Sequence, residues 1–228
     1  MTKAIILSAG YGKRLRPLTE KYPKPLLKLG EETLLSNTIN FLKKSGIKDI
    51  VINVHYLKDK IIEYINKNNF NINITFVEEK EKILDTGGGV LNAINHFSES
   101  FFCINPDTIW SPNYINELKN MENDFIKNKK KCSMLVVHKK KSLDKSFKGD
   151  FNLDNNLINR NDKKNLNYIY TGLQIIDPNI FLNIKEKVFS INQIWDQLIY
   201  SGELYGIESN VEFKHVSNLS FYNSLNIK

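Results

Sequence analysis

The stretch LSAGYGKRLRPLTEKYPKPL, residues 7–26, follows directly on a short apolar run at residues 4–7. The run predicts a buried strand. The glycines, basic residues and prolines after it predict a loop that folds over phosphates. Gly10 and Gly12 let the backbone approach a ligand closely and take positive φ. Successive backbone N–H groups then form an anion-binding concavity. Lys13, Arg14, Arg16 and Lys24 supply the charge a triphosphate needs, and arginine adds bidentate geometry. Two familiar phosphate loops are excluded: Leu15 stands where a dinucleotide fingerprint has its third glycine, and no Gly-Lys-Ser/Thr closes a P-loop.

Outward from that loop, strand and helix patterns alternate. Helical spacing predicts helices over 34–44, 58–68, 89–97, 113–129 and 191–200. Gly46 fits the left-handed position after the first of these. Strands are predicted over 49–54, 72–77, 101–105, 133–138 and 168–176. The polar segment 144–167 predicts a short antiparallel excursion, 148–153 against 157–160. A hairpin is predicted from 204–208 and 213–216, then a last helix over 220–227 capped by Ser220. The βα alternation predicts an α/β fold, a Rossmann-like, mostly parallel mixed sheet with helices on both faces. No repeat or linker interrupts the pattern, so one domain, 1–228, is expected.

Composition narrows the function classes. The 228 residues are enough for a sizeable core. The net charge of +7 could suit nucleic acid. The lysines, however, are scattered among acids, and the one dense run, 127–131, sits at the end of a predicted helix. Without aromatic-basic interleaving, a nucleic-acid partner is not expected. Cys103 and Cys132 fall in apolar strands, with neither metal-ligand spacing nor a disulfide framework. No signal-peptide pattern or membrane-spanning run is present, so a soluble cytoplasmic protein, monomeric or a small homo-oligomer, is expected.

Two further elements carry chemistry. Asp107 follows the buried run 101–105 and falls at the carboxyl end of a strand, where open α/β sheets bind ligands. A carboxylate there suits Mg²⁺, which takes few protein ligands and shares itself with phosphate oxygens. The bland alternative is that Asp107 caps the next turn. Leu84-Asp85-Thr86-Gly87-Gly88-Gly89 predicts a second glycine loop before a helix, able to admit an anion or a base. Glu78 and Glu79 precede it, with two readings open: contact with a sugar, or pairing with Lys80 and Lys82.

The full string at 7–26 resembles the signature of the nucleotidyltransferases that join a sugar 1-phosphate to a nucleoside triphosphate. The elements that match are Leu7, Ala9, Gly10, Gly12, Arg14, Leu15, Pro17, Leu18, Thr19, Pro23, Lys24, Pro25 and Leu26. Within the family, the segments at 84–90, 105–110, 170–175 and 190–196 resemble the uridylyltransferases acting on N-acetylmuramate 1-phosphate in cell-wall recycling. The resemblance implies UTP and that sugar phosphate as partners, with mannose- or glucose-1-phosphate transfer and phosphocholine cytidylyl transfer as alternatives. It implies nucleotide contacts at Leu7, Ala9, Gly10, Gly12, Lys13, Arg14, Lys24, Thr86, Gly87 and Gly88, and sugar contacts at Asn105, Thr171 and Gly172. Arg14, Lys24 and Asp107 would carry the catalysis, with Mg²⁺, or else Mn²⁺, on Asp107.

His215 falls where the family has a second metal aspartate. Imidazole suits softer metals than Mg²⁺, so three readings stay open: a ligand of such a metal, a phosphate contact, or a hydrogen-bonded strand histidine. Pro106 replaces a small residue of the family pattern, and Ser217 and Asn218 replace a glycine and a threonine. These departures keep a non-enzyme reading open, a catalytically silent nucleotide-binding regulatory subunit.

Overall fold

The computed structural model describes residues 2–162 and 164–226. Nine strands form one sheet. In chain order they are β1 (Lys3–Leu7), β2 (Asp49–Val54), β3 (Asn73–Glu78), β4 (Phe101–Ile104), β5 (Cys132–His138), β6 (Asn152–Asp154), β7 (Leu157–Asn159), β8 (Tyr168–Ile176) and β9 (Leu204–Ser209). Their spatial order is β3-β2-β1-β4-β8-β5-β9-β7-β6. β1, β2, β3 and β4 run parallel. β8 is inserted antiparallel between β4 and β5, and β9 returns parallel to β5. The chain leaves β1 toward β2 and β3, then comes back to place β4 on β1's other side. That reversal is a topological switch point, and it opens a crevice at the carboxyl ends of β1 and β4.

Apart from a single turn at Leu18–Lys21, the α-helices among the described residues are α1 (Leu34–Lys44), α2 (Lys58–Lys67), α3 (Asp85–Asn92), α4 (Tyr114–Lys127), α5 (Asn192–Tyr200) and α6 (Leu219–Asn226). Alternate strand residues enter two cores. Ala4, Ile6, Ile50, Ile52, Phe102 and Ile104 pack with residues of α1, α2 and α4. Ile5, Val51, Phe101 and Cys103 pack with residues of α3 and α5 on the other side. Burial on both faces explains why these strands read as continuous apolar runs. Burying a side chain such as Phe102 or Ile104 contributes about 1.5–3 kcal/mol. α1 begins with a reciprocal cap: Thr33 accepts from the Ser36 N–H, and the Ser36 hydroxyl accepts from the Thr33 N–H.

Three expectations need correction. α3 starts at Asp85, so the glycine triplet lies inside a helix and is not a loop ahead of one. Residues 213–216 form no hairpin with β9. Instead Phe213 bridges Ser142 and His215 bridges Thr108, while β9 pairs along its length with β5 and meets β7 at Tyr205–Leu157. The last helix starts at Leu219, and its first turn is capped by Asn218, whose side chain accepts from the Phe221 N–H. Ile227, the expected end of that helix, lies outside the described residues. The antiparallel excursion is present in shorter form, β6 against β7.

Candidate active site

β1 delivers the chain into the crevice at Ser8. Gly12 takes φ +63° and starts a 3-10 turn, Lys13–Leu15. Any larger residue is disfavoured there, since a Cβ would lie 2.9 Å from Thr19 Cγ2 and 3.1 Å from Lys24 Cβ. The Thr19 hydroxyl donates to the Gly12 carbonyl at 3.0 Å. Leu15 is buried with Leu27, Leu34 and Val216, which pins the loop from beneath. Gly10 differs from the expectation: it has no positive φ, and its Cβ direction is open space. Its role is to leave room, not to permit a left-handed turn.

The crevice is a cavity of about 320 Å³. Of the residues expected to meet nucleotide, Leu7, Ala9, Gly10, Gly12, Arg14, Lys24 and Thr86 line it. Lys13 does not; its ammonium lies over the Tyr11 ring, 5.4 Å from the centroid. Gly87 and Gly88 do not line it either. Their N–H groups both donate to the Phe189 carbonyl at 3.0 Å, so these donors are spent inside the protein. An added Cβ would strike the Phe189 ring at Gly87 and the Lys187 carbonyl at Gly88. The triplet is therefore small for packing, which corrects the anion-loop reading.

Asp107 and Lys24 meet in the cavity wall. Lys24 Nζ donates to Asp107 Oδ2 at 2.6 Å, with side chains 13% and 17% exposed. His215 Nε2 reaches the same oxygen at 3.1 Å. The segment carrying His215 is laced to that of Asp107: the Val216 N–H donates to the Asp107 carbonyl, and the Ile109 N–H donates to the Lys214 carbonyl, both at 2.8 Å. Phe213 stacks on the imidazole and Phe147 meets it edge-on. Burial pushes the Asp107 carboxyl up, but the His215 and Lys24 charges outweigh it and hold the group well below the usual carboxylate range. Its neighbours thus favour the ionised carboxylate.

Asp107 Oδ1 and His215 Nδ1 are buried without a hydrogen-bond partner among the described residues. An orphaned carboxylate oxygen needs a partner, and a hard cation is one the chemistry favours. The donor set thus fits a divalent ion held through Asp107. No group of three or more His, Cys, Asp or Glu side chains gathers among the described residues. Such an ion would draw its remaining ligands from water and substrate phosphates, as Mg²⁺ commonly does.

The expected sugar contacts divide. Asn105 lines the cavity. Thr171 is fully buried, and its hydroxyl donates to the Leu135 carbonyl at 2.9 Å, so it is out of reach of a sugar. Gly172, at φ +92°, supports Asn105: its carbonyl accepts the Asn105 N–H at 2.8 Å, and an added Cβ would lie 3.0 Å from Asn105 Cβ. Asn53, Glu79 and Asp85 also line the cavity, and sequence reasoning assigned no role to Asn53 or Asp85. The available signal for Asn53 was a polar residue in the middle of the apolar strand DIVINV. Burial pushes the Glu79 carboxyl up, against hydrogen bonds from the Leu84 N–H and Asn53 that favour its ionised form.

A loop-bordered crevice at a sheet switch point, with a glycine turn, two cations and an aspartate, has the charge and shape that suit phosphorylated ligands. The chain belongs to the nucleotidyl transferase family, which it matches over residues 3–187. It is 34% identical over 216 residues to bifunctional protein GlmU of Methanococcus aeolicus, covering 91% of this chain and 49% of that protein. The chain thus spans about half the length of that relative. It is 25% identical over 221 residues to N-acetylmuramate alpha-1-phosphate uridylyltransferase of Caulobacter vibrioides, covering 94% and 91% of the two chains. Among solved structures it shares its fold with HddC of Yersinia pseudotuberculosis complexed with GMP-PN. There the TM-score is 0.79 at 21% identity, over 99% of this chain and 98% of that one. No helix among the described residues is long and apolar enough to cross a membrane.

Proposed function

We propose that this chain transfers a nucleotidyl group from a nucleoside triphosphate to a sugar 1-phosphate, with UTP and N-acetylmuramate 1-phosphate as the pair. The observation that carries the reaction class is the Lys24–Asp107 contact, 2.6 Å long, in the same cavity wall as Gly12 and Arg14. A phosphate monoester is largely dianionic near neutral pH, its second pKa being about 6, so its oxygen needs no protein base. That oxygen attacks the α-phosphorus, the bond from the α-phosphorus to the α–β bridging oxygen breaks, and pyrophosphate leaves with the electron pair. The protein's work is to align two polyanions and to neutralise charge at the α-phosphate.

Arg14 makes no ion pair with another described residue and stands in the cavity wall to bind the triphosphate. Lys24 binds the α-phosphate and the incoming phosphate together. Asp107 would hold Mg²⁺, with Mn²⁺ as the softer substitute, and His215 would join it only by exchanging its 3.1 Å contact with the carboxylate for a bond to the ion. When bound, that ion supplies positive charge to the α-phosphate and to the departing pyrophosphate.

Support for the particular substrates is the match to the Caulobacter relative over 94% of this chain and 91% of that one, and on this reading the reaction belongs to peptidoglycan recycling. A second pair is favoured by the mannose-1-phosphate guanyltransferase of Schizosaccharomyces pombe, 38% identical over 112 residues but covering only 47% of this chain. The test is pyrophosphate release across four nucleoside triphosphates and the 1-phosphates of N-acetylmuramate, N-acetylglucosamine, glucose and mannose, with Mg²⁺, Mn²⁺ or chelator. Release confined to UTP with the muramate sugar, and lost in chelator, is expected. Release only from another pair overturns the substrate assignment. Silence from folded protein that binds nucleotide would leave the regulatory reading.

A further inference from the structure

Asn53 interrupts the apolar strand β2 and is buried on the side facing α3. Its Oδ1 accepts the Ser8 N–H at 2.6 Å, and its Nδ2 donates to Glu79 Oε1 at 2.7 Å. Glu79 is 1% exposed, and its Oε2 accepts the Leu84 N–H at 2.7 Å. The three bonds converge on the carboxylate, which accepts two of them directly. Their outer ends hold two separate segments that lead into the cavity lining. Ser8 opens the glycine turn, and Leu84 precedes Asp85 and Thr86.

Two backbone facts show what the linkage maintains. Asp85 takes φ +63°, a conformation that costs a non-glycine residue energy and persists only when its surroundings hold it. Leu84 is held on both sides, its N–H by Glu79 and its carbonyl by the Phe189 N–H at 3.1 Å. Gly89 makes the linkage possible. A Cβ there would lie 2.7 Å from Asn53 Nδ2 and 2.8 Å from Glu79 Oε1, inside the bond it would have to split.

We propose that Asn53 and Glu79 form a buried brace that fixes the spacing of these two segments, making Glu79 a positioning residue for the nucleoside triphosphate. The inference rests on the nucleotidyl-transfer reading above. It also predicts that the carboxylate cannot be exchanged for its amide without loss. A substituted amide offers one acceptor and one donor group, yet both partners donate. Turning Asn53 over to compensate would aim its NH₂ at the Ser8 N–H. At least one link of the brace is therefore lost in Glu79→Gln, although its volume is unchanged.

The experiment is direct titration of the wild type, Glu79→Gln and Gly89→Ala with UTP and with GTP, each with Mg²⁺, well below each protein's melting temperature. It is paired with the KM of each variant for its sugar 1-phosphate. Gly89→Ala raises helix propensity, so its effect on binding cannot come from weakening α3 locally. The expected result is a nucleotide Kd raised at least tenfold in both variants, with KM for the sugar phosphate within twofold of wild type. Wild-type affinity for nucleotide in the variants overturns the brace and leaves nucleotidyl transfer standing. So does an equal loss for both substrates, which marks general disruption. A wild type that binds neither nucleotide overturns the underlying reading, and the brace with it. Should one variant not fold, the other decides.

Discussion

Replacing Lys24 by methionine keeps its length and removes its charge, leaving Asp107 with His215 alone. At 2.6 Å and an effective dielectric of about 20, the lost attraction is about 6 kcal/mol gross. Desolvation of both ions offsets most of that, so the relevant quantity is the charge left behind. Removing one partner of a buried pair costs about 3–5 kcal/mol. His215 Nε2 remains 3.1 Å from the same oxygen, which argues for the lower end. In a chain of this size, about 3 kcal/mol lowers the melting temperature by about 6–12 °C. Asp107→Asn is milder, about 1–3 kcal/mol, because the amide oxygen still accepts from Lys24. The double variant carries neither charge and should lose less than the sum of the singles by about 2 kcal/mol. Turnover behaves differently. Each single variant should lose about 10²- to 10³-fold, and the double should recover none of it. Thermal melts and pyrophosphate release on the four proteins complete the cycle. Additive melting shifts, or wild-type turnover in Lys24→Met, would refute the pairing or its catalytic use respectively.

Gly12→Ala forces a side chain onto φ +63°, at about 1–2 kcal/mol, and drives its Cβ toward Thr19 and Lys24. We expect a lower melting temperature and a fall in kcat as Lys24 is displaced, and an unchanged kcat would show that the loop adapts. The pH dependence of stability follows from the depressed Asp107 carboxyl. Unfolded, it titrates at about 3.9; folded, it titrates lower, so the folded state binds fewer protons between those values. Its contribution is whole above the unfolded pKa and is lost as pH falls toward the folded one. The melting gap between wild type and Asp107→Asn should therefore be widest near neutrality and narrow by about pH 3, whereas a constant gap would exclude an ionised Asp107 as its source.

What the sequence made legible was whatever depends on local pattern. Residues 4–7 and 101–105 read as buried strands because both faces of β1 and β4 are covered. Placing Lys24 and Asp107 in one cavity required only the rule that loops at carboxyl strand ends share an edge of the sheet. The errors lie where the deciding neighbour is remote in sequence. Three glycines ahead of an apolar run read as a loop, yet their smallness answers to Phe189, to the Lys187 carbonyl, and to the Asn53–Glu79 pair. Thr171 was assigned to a sugar, but its hydroxyl is claimed by a carbonyl on β5. The supposed hairpin at 204–216 failed because strand pairing is not encoded in the turn between two apolar runs. β9 pairs parallel with β5, some seventy residues earlier.

The site is therefore assembled from two ends of the chain. The loop at 7–26 brings Gly12, Arg14 and Lys24 to the crevice, while a segment some two hundred residues later brings His215 to Asp107. Two contacts join these ends: Leu15 is packed with Val216, and the Val216 N–H is bonded to the Asp107 carbonyl. The matched family region ends at residue 187, so it includes the loop and Asp107 but not His215. The curated relatives match well beyond that end, over 91% and 94% of this chain. The loop and Asp107 sit at the carboxyl ends of β1 and β4, whereas His215 is held there by its bridge to Thr108. If the ion of the proposed reaction draws on His215, exchanging that residue for aspartate should move the metal preference of pyrophosphate release toward Mg²⁺, and an unchanged preference would leave His215 as a partner of the Asp107 carboxylate alone.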